Sequence, residues 1–286
     1  MSDPLVARSA PAAPVPVAAS RAQLAALLPS ELKRLLLRWR VMPVLLLAFA
    51  PAAMLAARFV KIHLLGGGEE SAGEIANRFA MVFQTLGLRT TIFFGCVVMF
   101  TGLFRGEILE RTLHYYLLAP LDRRVLLLGK YLAGVGAASL LYGGSLVAQL
   151  VLLYLPSRSF DGMALLLSAS TLGLGASYLL VVVMACVGYG ALFVYLSLAF
   201  KNPVLPAVVV LGWEGINFLL PATLKRISFL HYLQSLCPVP VSAGPFSIPA
   251  EPTPAWLSVL ALLALAACFL ALAAKKLARL EVAYGE

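Results

Sequence analysis

Six stretches of this chain are apolar for roughly the length of a membrane crossing. They are Val41–Val60, Met81–Phe104, Val125–Leu155, Leu172–Phe200, Val204–Leu220 and Trp256–Ala274. A helix needs about 20 such residues to cross the hydrocarbon core of a bilayer. Lipid offers backbone N–H and C=O groups no partners, so a spanning segment must satisfy them itself, as a helix or in a closed barrel. These runs are continuous rather than alternating, which selects helices over barrel strands. The expected fold class is therefore an all-α integral membrane protein with six transmembrane helices.

Composition agrees. Hydrophobic residues make up 61% of the chain and charged residues 12%, against about 25% charged in an average soluble domain. Mean hydropathy is +0.92. The net charge of +9 does not point to nucleic acid, because the basic residues sit beside the spans and form no separate basic domain. Placing the N-terminus in the cytosol puts fifteen of the 22 Lys and Arg residues on the inside. That asymmetry orients both termini inward. Residues 1–29, rich in Ala, Pro and Ser, read as a disordered cytosolic tail; residues 30–286 form the membrane domain. Cys96, Cys186 and Cys268 fall inside apolar runs and Cys237 in a loop. No Cys/His spacing suits zinc, so neither a metal nor a structural disulfide is expected.

Before the first span stands "SELKRLLLRWR". Ser30 can cap a helix starting at Glu31. Leu32, Leu35, Leu36 and Trp39 share one face, and Lys33, Arg34, Arg38 and Arg40 lie elsewhere. This reads as an amphipathic helix lying on the inner surface of the membrane. Small residues four apart, Ser139 with Gly143 and Gly173 with Ser177, mark helix faces suited to close packing. The loop from Pro221 to Ala255 is rich in proline. Its segment "LKRISFLHYLQSL" is apolar but too short to span, and reads as part of a structured outer lid.

The longest densely charged stretch joins the second and third spans: "RGEILERTLHYYLLAPLDRRVLLLGK", Arg105 to Lys130. As a helix from Glu107 to Leu118, it sets Glu107, Glu110, Arg111 and His114 on one face and Leu109, Leu113 and Tyr116 on the other. Glu107 precedes Arg111 by four residues, the favourable order for an ion pair. Pro120 ends the helix. Asp122 can cap the next one, and Arg123 and Arg124 anchor it at the headgroups. The outward charges suit docking to a soluble partner, whose movement would be passed to the two spans.

This stretch resembles the cytosolic loop between the second and third spans of permeases in the ABC-2 type exporter family. The pattern is acidic residues, Thr-Leu, a few apolar positions, Pro, a polar or basic pair and Gly-Lys. Here these are Glu107, Glu110, Thr112, Leu113, Leu117, Leu118, Pro120, Arg123, Arg124, Gly129 and Lys130. Two positions depart: Arg111 stands where Gly usually precedes the Thr, and His114 where an acid often follows the Leu. The layout of amphipathic helix, six spans and structured last loop is similar too. The resemblance implies a permease subunit of an ATP-driven exporter. Its loop would be a coupling helix, contacting a separate cytosolic ATPase through Glu107, Glu110, Arg111, Thr112, His114, Pro120, Arg123 and Arg124. It further implies a second permease subunit, as homodimer or heterodimer, with ATP and magnesium held by the ATPase. The expected location is a bacterial cytoplasmic (inner) membrane.

The chain itself offers no phosphate loop, since Gly129–Lys130 lacks the earlier glycine and is followed by Tyr131. It shows no HExxH, and His63, His114 and His231 form no catalytic set, so no enzyme is expected. Arg89 and Glu214 lie within spans. Intramembrane charges usually face the bundle interior and pair, which makes these two a candidate polar pair. The alternative function is an ATP-independent transporter or channel. The absence of a convincing internal repeat weighs against it.

Overall fold

The computed structural model describes residues 28–35, 42–65, 72–109, 122–154, 166–241 and 251–279. Those residues are helical with connecting turns and contain no strand. In chain order the helices are α1 (residues 28–35), α2 (Met42–Leu65) and α3 (Ala72–Val82). A π-helix, Phe83–Ile92, joins α3 to α4 (Phe93–Leu109). Then come α5 (Arg123–Tyr154), α6 (Ala169–Ala199) and α7 (Val204–Gly215), the last continued by a 3₁₀ turn over Ile216–Leu219. Two short helices, α8 (Ala222–Lys225) and α9 (Phe229–Ser235), precede α10 (Ala255–Ala278).

Among the described residues, four helical stretches are long and apolar enough to cross a membrane: Gly73–Leu109, Arg123–Tyr154, Ala169–Ala199 and Ala255–Ala278. They make this a membrane protein. The predicted first and fifth spans correspond to shorter apolar stretches, Met42–Arg58 and Val204–Leu219. The second span is a composite. Its α-helical geometry is interrupted for ten residues by wider π-turns.

α6 is the central element. It packs against α4, α5 and α10, and Tyr178, Tyr189 and Phe193 on it are fully enclosed. Ser168 opens it by accepting a hydrogen bond from the Thr171 amide at 3.3 Å. Asp122 opens α5 in the predicted way: its carboxylate accepts from the Arg124 amide at 2.9 Å, and its carbonyl from the Leu126 amide.

Close helix approach occurs at Gly143, which spacing singled out, and more tightly at glycines that it did not. Phe100 of α4 lies between Gly134 of α5 and Gly190 of α6, where an added Cβ would come within 2.9 Å and 2.6 Å of its ring. Gly173 of the predicted pair instead faces open space, and the hydroxyl of half-buried Ser177 donates to the carbonyl of Gly173. Of the other pair, Gly143 meets Leu179.

The amphipathic reading of the N-terminal segment holds for Leu32 and Leu35, which pack onto the core. Ser30 is not its cap, because the helix is already formed at residue 28. Residues 1–27, including most of the predicted tail, lie outside the described residues.

Candidate functional site

Four charges meet at the end of the bundle where α1, α4 and α5 converge. Glu107 Oε1 accepts from Lys130 Nζ at 2.6 Å and from Arg34 Nη2 at 2.6 Å. Glu31 Oε1 lies 3.0 Å from Lys130 Nζ, and Glu31 Oε2 lies 3.0 Å from Arg34 Nη2. Among the described residues, acids and bases alternate around this ring. Lys130 is 0% exposed, Glu107 1% and Glu31 3%; only Arg34, at 34%, reaches the surface.

Local sequence explains each placement. Glu31 and Leu35 are four apart on α1, so the acid shares the apolar face that packs inward. Glu107 is in the last turn of α4. Lys130 lies two turns into α5, among Leu126, Leu127 and Tyr131, all buried. A lysine there is tolerable only because two carboxylates meet it, since the desolvation cost of an isolated buried charge is prohibitive.

This corrects one expectation. Glu107 was placed on an outward face with Glu110, Arg111 and His114. It is instead turned into the bundle, because Lys130 and Arg34 offer it better partners than water. Arg123 is also used internally. Its Nη1 donates to the carbonyls of Leu277 at 3.1 Å and Ala278 at 2.9 Å, closing the C-terminal end of α10. Arg124 is exposed. Glu110, Arg111, Thr112, His114 and Pro120 lie outside the described residues. Sequence reasoning missed Glu31, Arg34 and Lys130 as a cluster. Glu31 on an otherwise apolar helix face was the available signal.

The other end of the bundle carries Glu214. One carboxylate oxygen accepts from the amide of Phe229 at 3.0 Å. The other accepts from the Ser228 hydroxyl and from the Leu230 amide at 3.2 Å. Glu214 thus caps α9 from fifteen residues upstream, and so ties α7 to the last loop. Arg89 is close enough for the two charges to attract, but no ion pair within 4.0 Å joins them. The two charges of the candidate pair thus lie near one another without direct contact, and the Glu214 oxygens serve a helix N-terminus, where backbone N–H groups converge.

α9 is the structured core of the predicted lid. Phe229, Leu230 and Leu233 are buried, and Phe229 presses on Gly188 of α6. Gln84 of the π-helix donates to the Val239 carbonyl at 2.8 Å. The lid is therefore fastened to the second span as well. Burial, and then Lys225 and Arg226 nearby, hold the His231 imidazole below its ordinary pKa.

No protein-family model matches the chain, and no curated protein sequence matches it.

Proposed function

We propose that this chain is the transmembrane permease subunit of an ATP-driven ABC exporter. It would form the translocation path and couple to a separate cytosolic ATPase that holds ATP and magnesium. The observation that carries the reading is the charge ring. Glu107 and Lys130 bracket the charged loop that resembles a coupling helix, and they are bonded to each other and to α1. A push on residues 110–121 would thus reach α1, the second span and the third span together. A loop with only anchoring duties would need no such buried tie.

On this reading the charged end faces the cytosol, the lid end faces outward, and the chain lies in a bacterial inner membrane with six spans. A second permease subunit completes the path. Glu110, Arg111, Thr112, His114 and Arg124 are the docking residues; Glu107 and Arg123 hold the elements beneath them.

The test is co-purification of the full chain in mild detergent, followed by transport assays in liposomes. An ATPase subunit that remains bound, and transport that requires ATP, are the expected results. A chain that purifies alone and transports solute without ATP would replace this reading with an ATP-independent transporter.

A further inference from the structure

The π-helix of the second span faces Pro51, a buried residue of α2 without an N–H group. Between these elements and α5 lies a small cavity. Thr91, Tyr142, Ser145 and Gln149 line it, and the rest of its wall is apolar. The four polar side chains are all buried, at 2%, 3%, 2% and 4% exposure respectively.

Their hydrogen bonds do not close. Ser145 donates to the Ala48 carbonyl and accepts from Gln149 Nε2 at 3.2 Å. Thr91 Oγ1, Tyr142 OH and Gln149 Oε1 have no partner among the described residues. Buried polar groups are rarely left so, because each forfeits the bonds it made with water. Three in one cavity form a pattern. Gln149 Oε1 can only accept, whereas each hydroxyl can donate and accept. The cavity has room for about one water-sized guest. A water molecule can donate to the amide oxygen and to one hydroxyl while accepting from the other.

Glycine at position 95 makes the arrangement possible. The Tyr142 hydroxyl stands where a Cβ on Gly95 would be, so only a residue without a side chain lets the phenol approach. No carboxylate lines the cavity, which favours a neutral ligand over a cation.

We propose that this cavity is a binding site for a single water molecule, which joins the π-helix to α5 inside the bundle. The bound water offers unpartnered groups of this cavity a hydrogen-bonding partner at the place where the second span leaves α-helical geometry. π-turns concentrate at functional positions, and a bridging water can yield there where a direct bond would not. This inference does not depend on the exporter reading.

Two measurements test it on the full-length protein. Radiolytic hydroxyl labelling in detergent generates radicals from bound water at the spot where it sits. Tyr142 should be labelled several-fold faster than Tyr189, which is equally buried. The second measurement is the melting temperature of Thr91→Val, a near-isosteric change. Removing a hydroxyl from a hydrated site lowers Tm; removing it from a dry one raises Tm by relieving an unpaired group. Labelling of Tyr142 no faster than Tyr189, or a raised Tm, overturns the proposal. A Tm that shifts in wild type but not in Thr91→Val when sodium or potassium replaces choline would overturn it in favour of a cation site.

Discussion

Lys130 shows how far a single residue can depart from what its neighbours in sequence suggest. It follows a positive pair at a span boundary, and positive-inside logic sends such a lysine to the headgroups. Its ammonium instead lies between Glu31 and Glu107, partners 99 and 23 positions away. Periodicity within one helix cannot reveal a contact whose other half is on another helix. Lys130→Met should be strongly destabilising, by about 3–5 kcal/mol, because it removes the ammonium that two buried carboxylates share. Unfolding in detergent measures this. Adding Glu107→Leu should recover part of the loss, since one of the stranded charges goes with it. Gly95 follows the same logic. Gly95→Ala should lower Tm, and Tyr142→Phe should relieve it only partly, since the ring carbon bearing the hydroxyl would still lie 2.7 Å from the new Cβ.

Elements were more legible than their fastenings. Apolar runs located the helices because lipid leaves the backbone no other solution. Asp122 announced the start of α5 because a cap acts within a few residues of its own position. Glu214 could not be read in the same way, since its helix begins fifteen residues on, past a 3₁₀ turn and α8. Glu214→Ala should loosen α9. Two backbone amides and the Ser228 hydroxyl lose their acceptor, and amide exchange across Phe229–Ser235 should rise by the equivalent of about 1–3 kcal/mol. The lid should also weaken in acid. The His231 pKa is lower in the folded protein than its ordinary value of about 6.5, so the unfolded chain binds the proton more readily. The stability this contributes is full above about pH 6.5 and falls as pH drops toward the lowered value. His231→Gln should flatten the dependence of Tm on pH in that window. An unchanged pH profile in the variant would remove His231 from the account.

At the scale of the whole molecule, the two ends of the bundle are fastened by different means. One end is held by a ring of alternating acids and bases across three segments, the other by a carboxylate and a glutamine that bind the lid to α7 and the second span. If the chain couples to an ATPase, docking and transmission reside in different residues and can be separated. Glu110→Arg with Arg111→Glu reverses two charges of the proposed docking loop and should weaken ATPase binding while leaving the bundle folded. Glu107→Gln keeps the side-chain shape but takes one charge from the ring. It should leave the ATPase bound and reduce substrate moved per ATP hydrolysed, because α1 and the two spans would no longer move as one body. The assay is paired, with complex retention on a column and transport against hydrolysis in liposomes. A charge reversal that changes neither quantity would detach the loop from docking. A Glu107→Gln variant with wild-type coupling would reduce the ring to a structural clamp.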